Sequence, residues 1–119
     1  MNINLDEVNS ILYVKPEMAL SAEDFIQISS VLDAYMKQHA NLKGLVIETM
    51  YFPGWKNFNA FIAHVKFIKT HHSKIQKIAL VTNSKFADLG KRGISLFITP
   101  QIRHFPYDQV SLATQWILQ

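Results

Sequence analysis

The feature that most constrains the fold of this chain is residues 42–58, LKGLVIETMYFPGWKNF, where an apolar strand runs into an aromatic turn. Residues 45–47 form a block rich in β-branched side chains, which can be buried on both faces of a sheet. Pro53 and Gly54 then mark a turn, because proline presets φ and glycine accepts a positive φ. The turn is expected at the carboxyl end of the sheet, where open α/β sheets usually bind ligands. Its aromatic residues either contribute to a ligand site or cap the core.

The chain before this segment predicts a pair of short strands and a helix. Residues 11–14 form a β-rich run, and the apolar residues at positions 3 and 5 can pair with it as an edge strand. Ser21 resembles the N-cap of a capping box, with Asp24 in place of the usual glutamate. Apolar residues then recur at helical spacing, so one face of this helix is expected to be buried to about Ala40.

The chain after this segment begins with a second predicted helix, which runs from Asn57 or Asn59 to about His71. Phe67 is expected on a flank of this helix, and its core stripe is predicted to be Phe58, Phe61, Ile62, Val65 and Ile68. Residues 77–82 then predict a strand that ends at an Asn-Ser turn.

Residues 85–98 have helical spacing of apolar residues, but the two glycines inside them cost about 1 kcal/mol each relative to alanine. This segment is interpreted in two ways. It is a helix that lines a pocket or contacts a membrane, or it is an ordinary core helix whose glycines allow close packing. Residues 102–105 alternate as a last strand. Asp108 is predicted to start a closing helix whose inward residues are Val110, Leu112, Ala113, Trp116 and Ile117.

The order of these elements predicts a single α/β domain over residues 1–119, with one mostly parallel sheet. A hydrophobic content of 49% and a charged content of 18% are typical of an ordered globular chain. The absence of cysteine excludes a disulfide scaffold and any cysteine-based zinc site or nucleophile. No signal-peptide pattern and no apolar run of membrane-spanning length is present, so we expect a cytoplasmic protein that is at most peripheral at a membrane.

Charge is distributed unevenly along the chain, whose net charge is +3. Residues 1–48 carry 3 lysines and 7 acidic residues, whereas residues 49–119 carry 9 Lys or Arg residues and only Asp88 and Asp108 as acids. Such a basic half can attract the phosphate groups of nucleic acids, lipids or nucleotides, or it can serve simply as a solvated surface.

With its elements in this order, the chain resembles the SpoIIAA-like family of small STAS-fold domains over about residues 8–118. The resemblance depends on the strand and turn LVIETMYFPGWKNF, with Phe52 and the Gly54-Trp55 pair. It also depends on the Lys66-Phe67 pair leading to a histidine, on the strand IALVTN and on the late strand IRHFP. None of these motifs is a catalytic signature.

The resemblance implies an α/β, STAS-like sheet of four or five mostly parallel strands, with an antiparallel N-terminal edge and about four helices. It also implies similarity to the lipid-binding CRAL-TRIO domains, and with it an apolar pocket beneath mobile helices. Anti-anti-sigma proteins of the STAS fold carry a phosphorylatable serine after an aspartate in the loop that follows the central strand. Here that stretch reads ETMYFP, with Thr49 as the nearest hydroxyl, so a kinase-switched role is not expected.

We expect neither a metal site nor an enzyme. Adjacent His71 and His72 point apart on a helix, and no carboxylate lies at helical spacing between His64 and His71. The sequence contains no P-loop, GxGxxG, GxSxG or HExxH motif. Lysines interleaved with aromatic residues are typical of single-strand platforms, but most of these aromatics fall on predicted core stripes, so nucleic-acid binding is not expected.

The favoured hypothesis is a non-enzymatic module that binds an apolar or lipid-like ligand and needs no cofactor. The expected ligand-binding residues lie in the 50–61 loop and in the 86–97 helix, and are Phe52, Trp55, Phe58, Phe61, Phe86, Leu89, Ile94 and Phe97. An anionic headgroup or membrane surface is expected to contact Lys66, Lys91 and Arg92. The alternative is a STAS-type regulatory domain that binds another protein without the Asp-Ser phosphoswitch. For either function an exposed apolar helix favours a homodimer.

Overall fold

The computed structural model describes residues 1–85 and 98–119 of the chain. The strands are β1 (Asn2–Asp6), β2 (Ile11–Lys15), β3 (Leu42–Glu48), β4 (Ile75–Val81) and β5 (Gln101–Phe105). The α-helices are α1 (Ala22–Met36), α2 (Phe58–His71) and α3 (Val110–Leu118), and a short 3-10 helix, His72–Lys74, joins α2 to β4. The further helix predicted within residues 85–98 lies almost entirely outside the described residues.

The five strands form one sheet in the order β1-β2-β3-β4-β5. β1 is antiparallel to β2, and each of the remaining neighbouring pairs is parallel. The prediction of a mostly parallel sheet with an antiparallel N-terminal edge is therefore confirmed. The carboxyl ends of β2, β3, β4 and β5 consequently lie at the same edge of the sheet.

The two faces of the sheet pack against different helices, since alternate residues of each strand point to opposite faces. One face packs against α3, and its buried cluster is Ile11, Val46, Ala79, Val81, Phe105, Ala113, Trp116 and Ile117. The other face packs against α1, and its buried cluster is Leu12, Val14, Ile28, Leu32, Tyr35, Leu42, Leu45 and Ile75. The second face also carries α2, which contacts α1.

Helix α1 begins as the sequence predicts. The Ser21 hydroxyl accepts a hydrogen bond from the Asp24 amide, and the Asp24 carboxylate accepts one from the Ser21 amide. This reciprocal pair satisfies two amide groups that the first helical turn leaves without partners. The helix ends at Met36, earlier than the predicted limit near Ala40, and Ala40 itself is exposed.

Helix α3 differs from the prediction at two positions. Its N-cap is Gln109 rather than Asp108, and the cap makes no side-chain hydrogen bond. Leu112, predicted to point inward, has 48% of its surface exposed. The buried residues at positions 113, 116 and 117 define the inward face, and a side chain one residue before Ala113 is turned about 100° away from it.

Helix α2 begins where it was predicted, because Asn57 caps it by accepting a hydrogen bond from the Ala60 amide. The predicted core stripe, however, is wrong for Phe58, Phe61 and Val65, which are exposed. The inward face instead carries residues 60, 64, 67 and 71, which recur at intervals of four, three and four. Because two of the four residues on that face are histidines, the face does not show an apolar pattern in the sequence.

Candidate functional site

A cavity of about 320 Å³ lies between the sheet and the two helices α1 and α2. Its floor is formed by strand residues that share one face of the sheet: Val14, Leu45, Ile47, Ile78, Leu80 and Ile102. Its walls are formed by Phe25 and Ile28 of α1 and by His64, Phe67, Ile68 and His71 of α2. The lining is almost entirely apolar, as in most small-molecule sites.

The cavity reaches the carboxyl edge of the sheet, where three hydroxyl-bearing residues line it: Thr49, Thr82 and Ser84. The Thr49 hydroxyl donates to the carbonyl oxygen of Tyr51 at 2.8 Å, and the Thr82 hydroxyl donates to that of Met50 at 3.1 Å. The Ser84 amide in turn donates to the Thr82 hydroxyl oxygen at 3.1 Å. Both threonine protons are therefore used within the protein.

An aromatic turn covers this edge. The amide of Leu20 donates to the carbonyl of Gly54 at 2.8 Å, and the amide of Lys56 donates to the carbonyl of Leu20 at 2.7 Å. Gly54 has φ +77°, a left-handed conformation that glycine adopts without steric cost. The turn is thus fixed to the chain before α1, and Trp55 is held over the cavity that it lines.

Trp55 is the centre of a small aromatic cluster. Its ring packs edge-on against Phe52, at 5.0 Å between centroids, and against Phe61, at 4.9 Å. Its indole N–H donates to Nδ1 of His64 at 3.1 Å. Such edge-to-face contacts favour one ring orientation, so the indole is fixed both by packing and by a hydrogen bond.

His64 connects the turn, α2 and α1. Its ring stacks on Phe25 with 4.8 Å between centroids and 18° between planes. Because Nδ1 accepts from Trp55, the neutral ring carries its proton on Nε2. Burial lowers the pKa of His64 below its ordinary value, which also favours the neutral ring.

His71 joins α2 to α1 further along the helix and is 4% exposed. Its Nε2 lies 3.0 Å from a carboxylate oxygen of Asp33, and its Nδ1 lies 3.1 Å from the carbonyl oxygen of Phe67. Both partners are acceptors, so both contacts are hydrogen bonds only when the ring is doubly protonated. Both ring nitrogens of His71 are therefore in contact with groups of the protein itself.

The residues predicted to contact a ligand or an anionic headgroup fall into four groups. Phe52 and Trp55 line the cavity, whereas Phe58 and Phe61 lie on the outer side of α2 and do not. Lys66 is exposed on α2 and borders a shallow groove between α1 and α2 rather than the cavity. The remaining predicted residues lie outside the described part of the chain: Phe86, Leu89, Ile94, Phe97, Lys91 and Arg92.

Sequence reasoning missed most of the cavity lining. The sequence predicts strands for the floor residues but no ligand contact, and it presents His64 and His71 only as candidate metal ligands. The signal that could have found them is the interval between His64, Phe67 and His71, which places three ring side chains on one face of a helix.

An exposed aromatic face lies on the turn and the outer side of α2, and two of its residues, Phe52 and Trp55, also line the cavity. We define it by its exposed residues Met50, Tyr51, Phe52, Trp55, Phe58, Phe61 and Val65. Tyr51 and Phe58 have 64% and 72% of their surfaces exposed. Helix α2 also carries Lys66 and Lys69 and has no acidic residue.

Two further features of the described residues concern metal binding and membrane spanning. No group of three or more His, Asp or Glu side chains in residues 1–85 and 98–119 is placed to hold a metal ion. Over the same residues, every helix is too short or too polar to cross a bilayer.

Comparison with known proteins places the chain in a family. A solved structure with a similar fold is that of an uncharacterised protein from the DUF3478 family with a SpoIIAA-like fold, from Shewanella loihica PV-4. The TM-score is 0.78, over 98% of this chain and 90% of that chain, and the sequence identity of 16% means that the likeness shows the fold alone. No curated protein is significantly similar in sequence. The family model described as SpoIIAA-like matches residues 11–118, so the chain belongs to the SpoIIAA-like family.

Proposed function

We propose that this domain is a binding module that takes up a small apolar molecule in the cavity between the sheet and helices α1 and α2. The observation that carries the proposal is the cavity of about 320 Å³ and its apolar lining. No catalytic step is part of the proposal.

The size of the cavity limits the ligand. At roughly 30 Å³ per water-sized group, a volume of about 320 Å³ holds a molecule of roughly eleven heavy atoms. Apolar surface removed from water supplies the driving force, at about 25 cal/mol per Å². A ligand would also restore dispersion contacts that the walls of an empty cavity lack.

A fluorescence titration with naphthalen-1-amine, an uncharged probe of matching size, tests the proposal. We expect a saturable emission increase with the unaltered protein and a strongly weakened one with Ile78→Phe, which adds volume at the cavity floor. The matched control is Leu112→Phe, which adds the same ring at an exposed position of α3, on the opposite face of the sheet. Thermal unfolding of each variant shows whether it is folded.

Two results would count against cavity binding. One is the absence of saturable emission with the unaltered protein. The other is equal binding by Ile78→Phe and Leu112→Phe while both variants remain folded, since the probe would then bind elsewhere.

The aromatic face favours a second function, association with an anionic membrane surface. Exposed aromatic side chains can enter the interfacial region of a bilayer, and Lys66 and Lys69 can approach anionic headgroups. The absence of acidic residues from α2 means that no negative charge on that helix opposes the contact.

Co-sedimentation with vesicles of phosphatidylglycerol and phosphatidylcholine, compared with phosphatidylcholine alone, tests this second function. We expect binding only to the anionic vesicles, and a loss of binding in Phe58→Ser and in Lys69→Gln. If neither vesicle binds, membrane association is wrong. A dimer in solution that Phe58→Ser dissociates would then assign the aromatic face to self-association. Saturable binding of a protein partner would assign it to regulatory interaction.

A further inference from the structure

On the basis of the proposed function, we infer that the ligand of the cavity is an uncharged molecule, an apolar body with at most a neutral oxygen group such as a hydroxyl or a carbonyl. A fatty-acid anion of the same length is a poor ligand on this account.

Few ionisable groups line the cavity. Apart from three histidines and the α-amino group of Met1, the described residues that line the cavity carry no ionisable group. The lysines Lys56, Lys66 and Lys69 belong to the turn and helix that cover the cavity, but they are exposed and absent from its lining. No lysine or arginine among residues 1–85 and 98–119 is therefore placed to pair with a buried carboxylate.

The histidines do not take the place of a lysine or arginine. Both ring nitrogens of His71 contact groups within the protein, Nδ1 the carbonyl oxygen of Phe67 and Nε2 a carboxylate oxygen of Asp33, so neither is left for a ligand. His64 accepts at Nδ1 from Trp55, and His72 accepts at Nδ1 from the amide of Thr99 at 3.1 Å. Because Nδ1 accepts in each of these two rings, the N–H of each ring is at Nε2.

The polar groups that remain can recognise a neutral oxygen. The hydroxyl oxygens of Thr49 and Thr82 have donated their protons to backbone carbonyls, so each can only accept from a ligand. The Nε2–H groups of His64 and His72 can only donate. A hydroxyl group of a ligand can donate to the threonine oxygens or accept from the imidazole N–H groups, and a carbonyl group can accept from those N–H groups. Neither ligand group carries a charge that must be neutralised.

The surroundings of His64 disfavour its charged form. Burial alone lowers the pKa of His64, so the protonated ring is disfavoured in the cavity wall. A carboxylate that enters the same space loses its hydration for the same physical reason, and no described lysine or arginine compensates it.

The test compares two ligands that differ only at the head group, decan-1-ol and decanoate, as competitors of bound naphthalen-1-amine. At about pH 8 the carboxyl group of decanoate is ionised, since carboxyl groups have ordinary pKa values of about 4. We expect decan-1-ol to displace the probe at concentrations more than about tenfold lower than decanoate, because only decanoate must bury a charge. Probe binding by Ile78→Phe is compared with that by its control Leu112→Phe, which shows whether the displaced probe was bound in the cavity.

Equal or tighter binding of decanoate would overturn the inference while leaving cavity binding intact, and would direct attention to the Met1 amino group. Displacement of the probe by neither ligand would also overturn it, because a neutral apolar chain would then be excluded as well. Failure of the probe itself to bind would instead refute the proposed function on which the inference depends.

Discussion

The indole Nε1 of Trp55 lies 3.1 Å from Nδ1 of His64, and the His64 ring stacks on Phe25. One imidazole therefore connects the aromatic turn, helix α2 and helix α1 at the wall of the cavity. The hydrogen bond requires an unprotonated Nδ1, since the indole N–H can only donate. Protonation of Nδ1 would therefore remove this hydrogen bond between the turn and α2.

The first prediction concerns pH. Because the pKa of His64 is lowered in the folded protein, its contribution to the free energy of unfolding is complete above the unfolded-state value of about 6.5. As the pH falls below that value, the unfolded chain binds a proton that the folded chain does not, and stability decreases until the pH passes the lowered pKa. Urea unfolding between about pH 8 and pH 5 should therefore show a shallower decrease for His64→Phe. An identical slope in both proteins would contradict this account of His64.

The second prediction concerns the contact between His71 and Asp33. Replacement by Asp33→Ala leaves Nε2 of a buried histidine without its acceptor, and we expect a loss of about 1 kcal/mol, limited because the carboxylate is largely exposed. Asp33→Asn retains an acceptor oxygen and should cost less. Glu17→Ala removes an exposed acid outside the helices and serves as the control in urea unfolding. Equal stabilities of Asp33→Ala and Glu17→Ala would show that the contact contributes nothing.

The third prediction concerns the contact between β3 and α3. A methyl group at Gly44 would overlap the Ile117 side chain, with Cδ1 only 2.6 Å away, so Gly44→Ala should destabilise the fold by about 1–3 kcal/mol. Ile117→Ala leaves a cavity and should cost about 2–5 kcal/mol by itself. The double variant should cost less than the sum of the two, because each change relieves the defect of the other. Strict additivity in denaturant unfolding would argue against this packing.

The fourth prediction concerns the orientation of α2. Phe58 is exposed whereas Phe67 faces the cavity, so Phe58→Ala should change the free energy of unfolding by no more than about 0.5 kcal/mol. Phe67→Ala should cost about 2 kcal/mol or more, because it removes a ring that packs on Phe25 and His71. The two substitutions are chemically identical and lie on one helix, so each controls for the other. If Phe58→Ala lowered the free energy of unfolding more than Phe67→Ala, the face of α2 that carries Phe58 would be the buried one, as the apolar pattern predicts.

The elements that local chemistry defines could be predicted from the sequence. The capping pair of Ser21 and Asp24, the cap at Asn57 and the apolar run of residues 45–47 each identify an element without reference to the rest of the chain. The antiparallel first strand and the parallel remainder followed from the order of these elements and from the family resemblance.

The inward face of α2 could not be predicted in the same way. Phe58, Phe61 and Val65 give the outer side the stronger apolar pattern, but burial depends on which side chains find partners. His64 and His71 are accommodated inward because Trp55, Phe25 and Asp33 satisfy them, and these partners lie on other elements. The cavity likewise depends on the separation of α1, α2 and the sheet, which no local pattern encodes.

Methyl NMR tests the central claim of ligand binding in this cavity most directly. With isoleucine and leucine methyl groups labelled, we expect decan-1-ol to shift the signals of Ile47, Ile78 and Leu80, which line the cavity, in a saturable manner. The signals of Ile11 and Ile117, buried on the opposite face of the sheet, should remain in place. Unchanged signals from the three cavity residues at the highest soluble ligand concentration, or larger shifts on the opposite face, would contradict the claim.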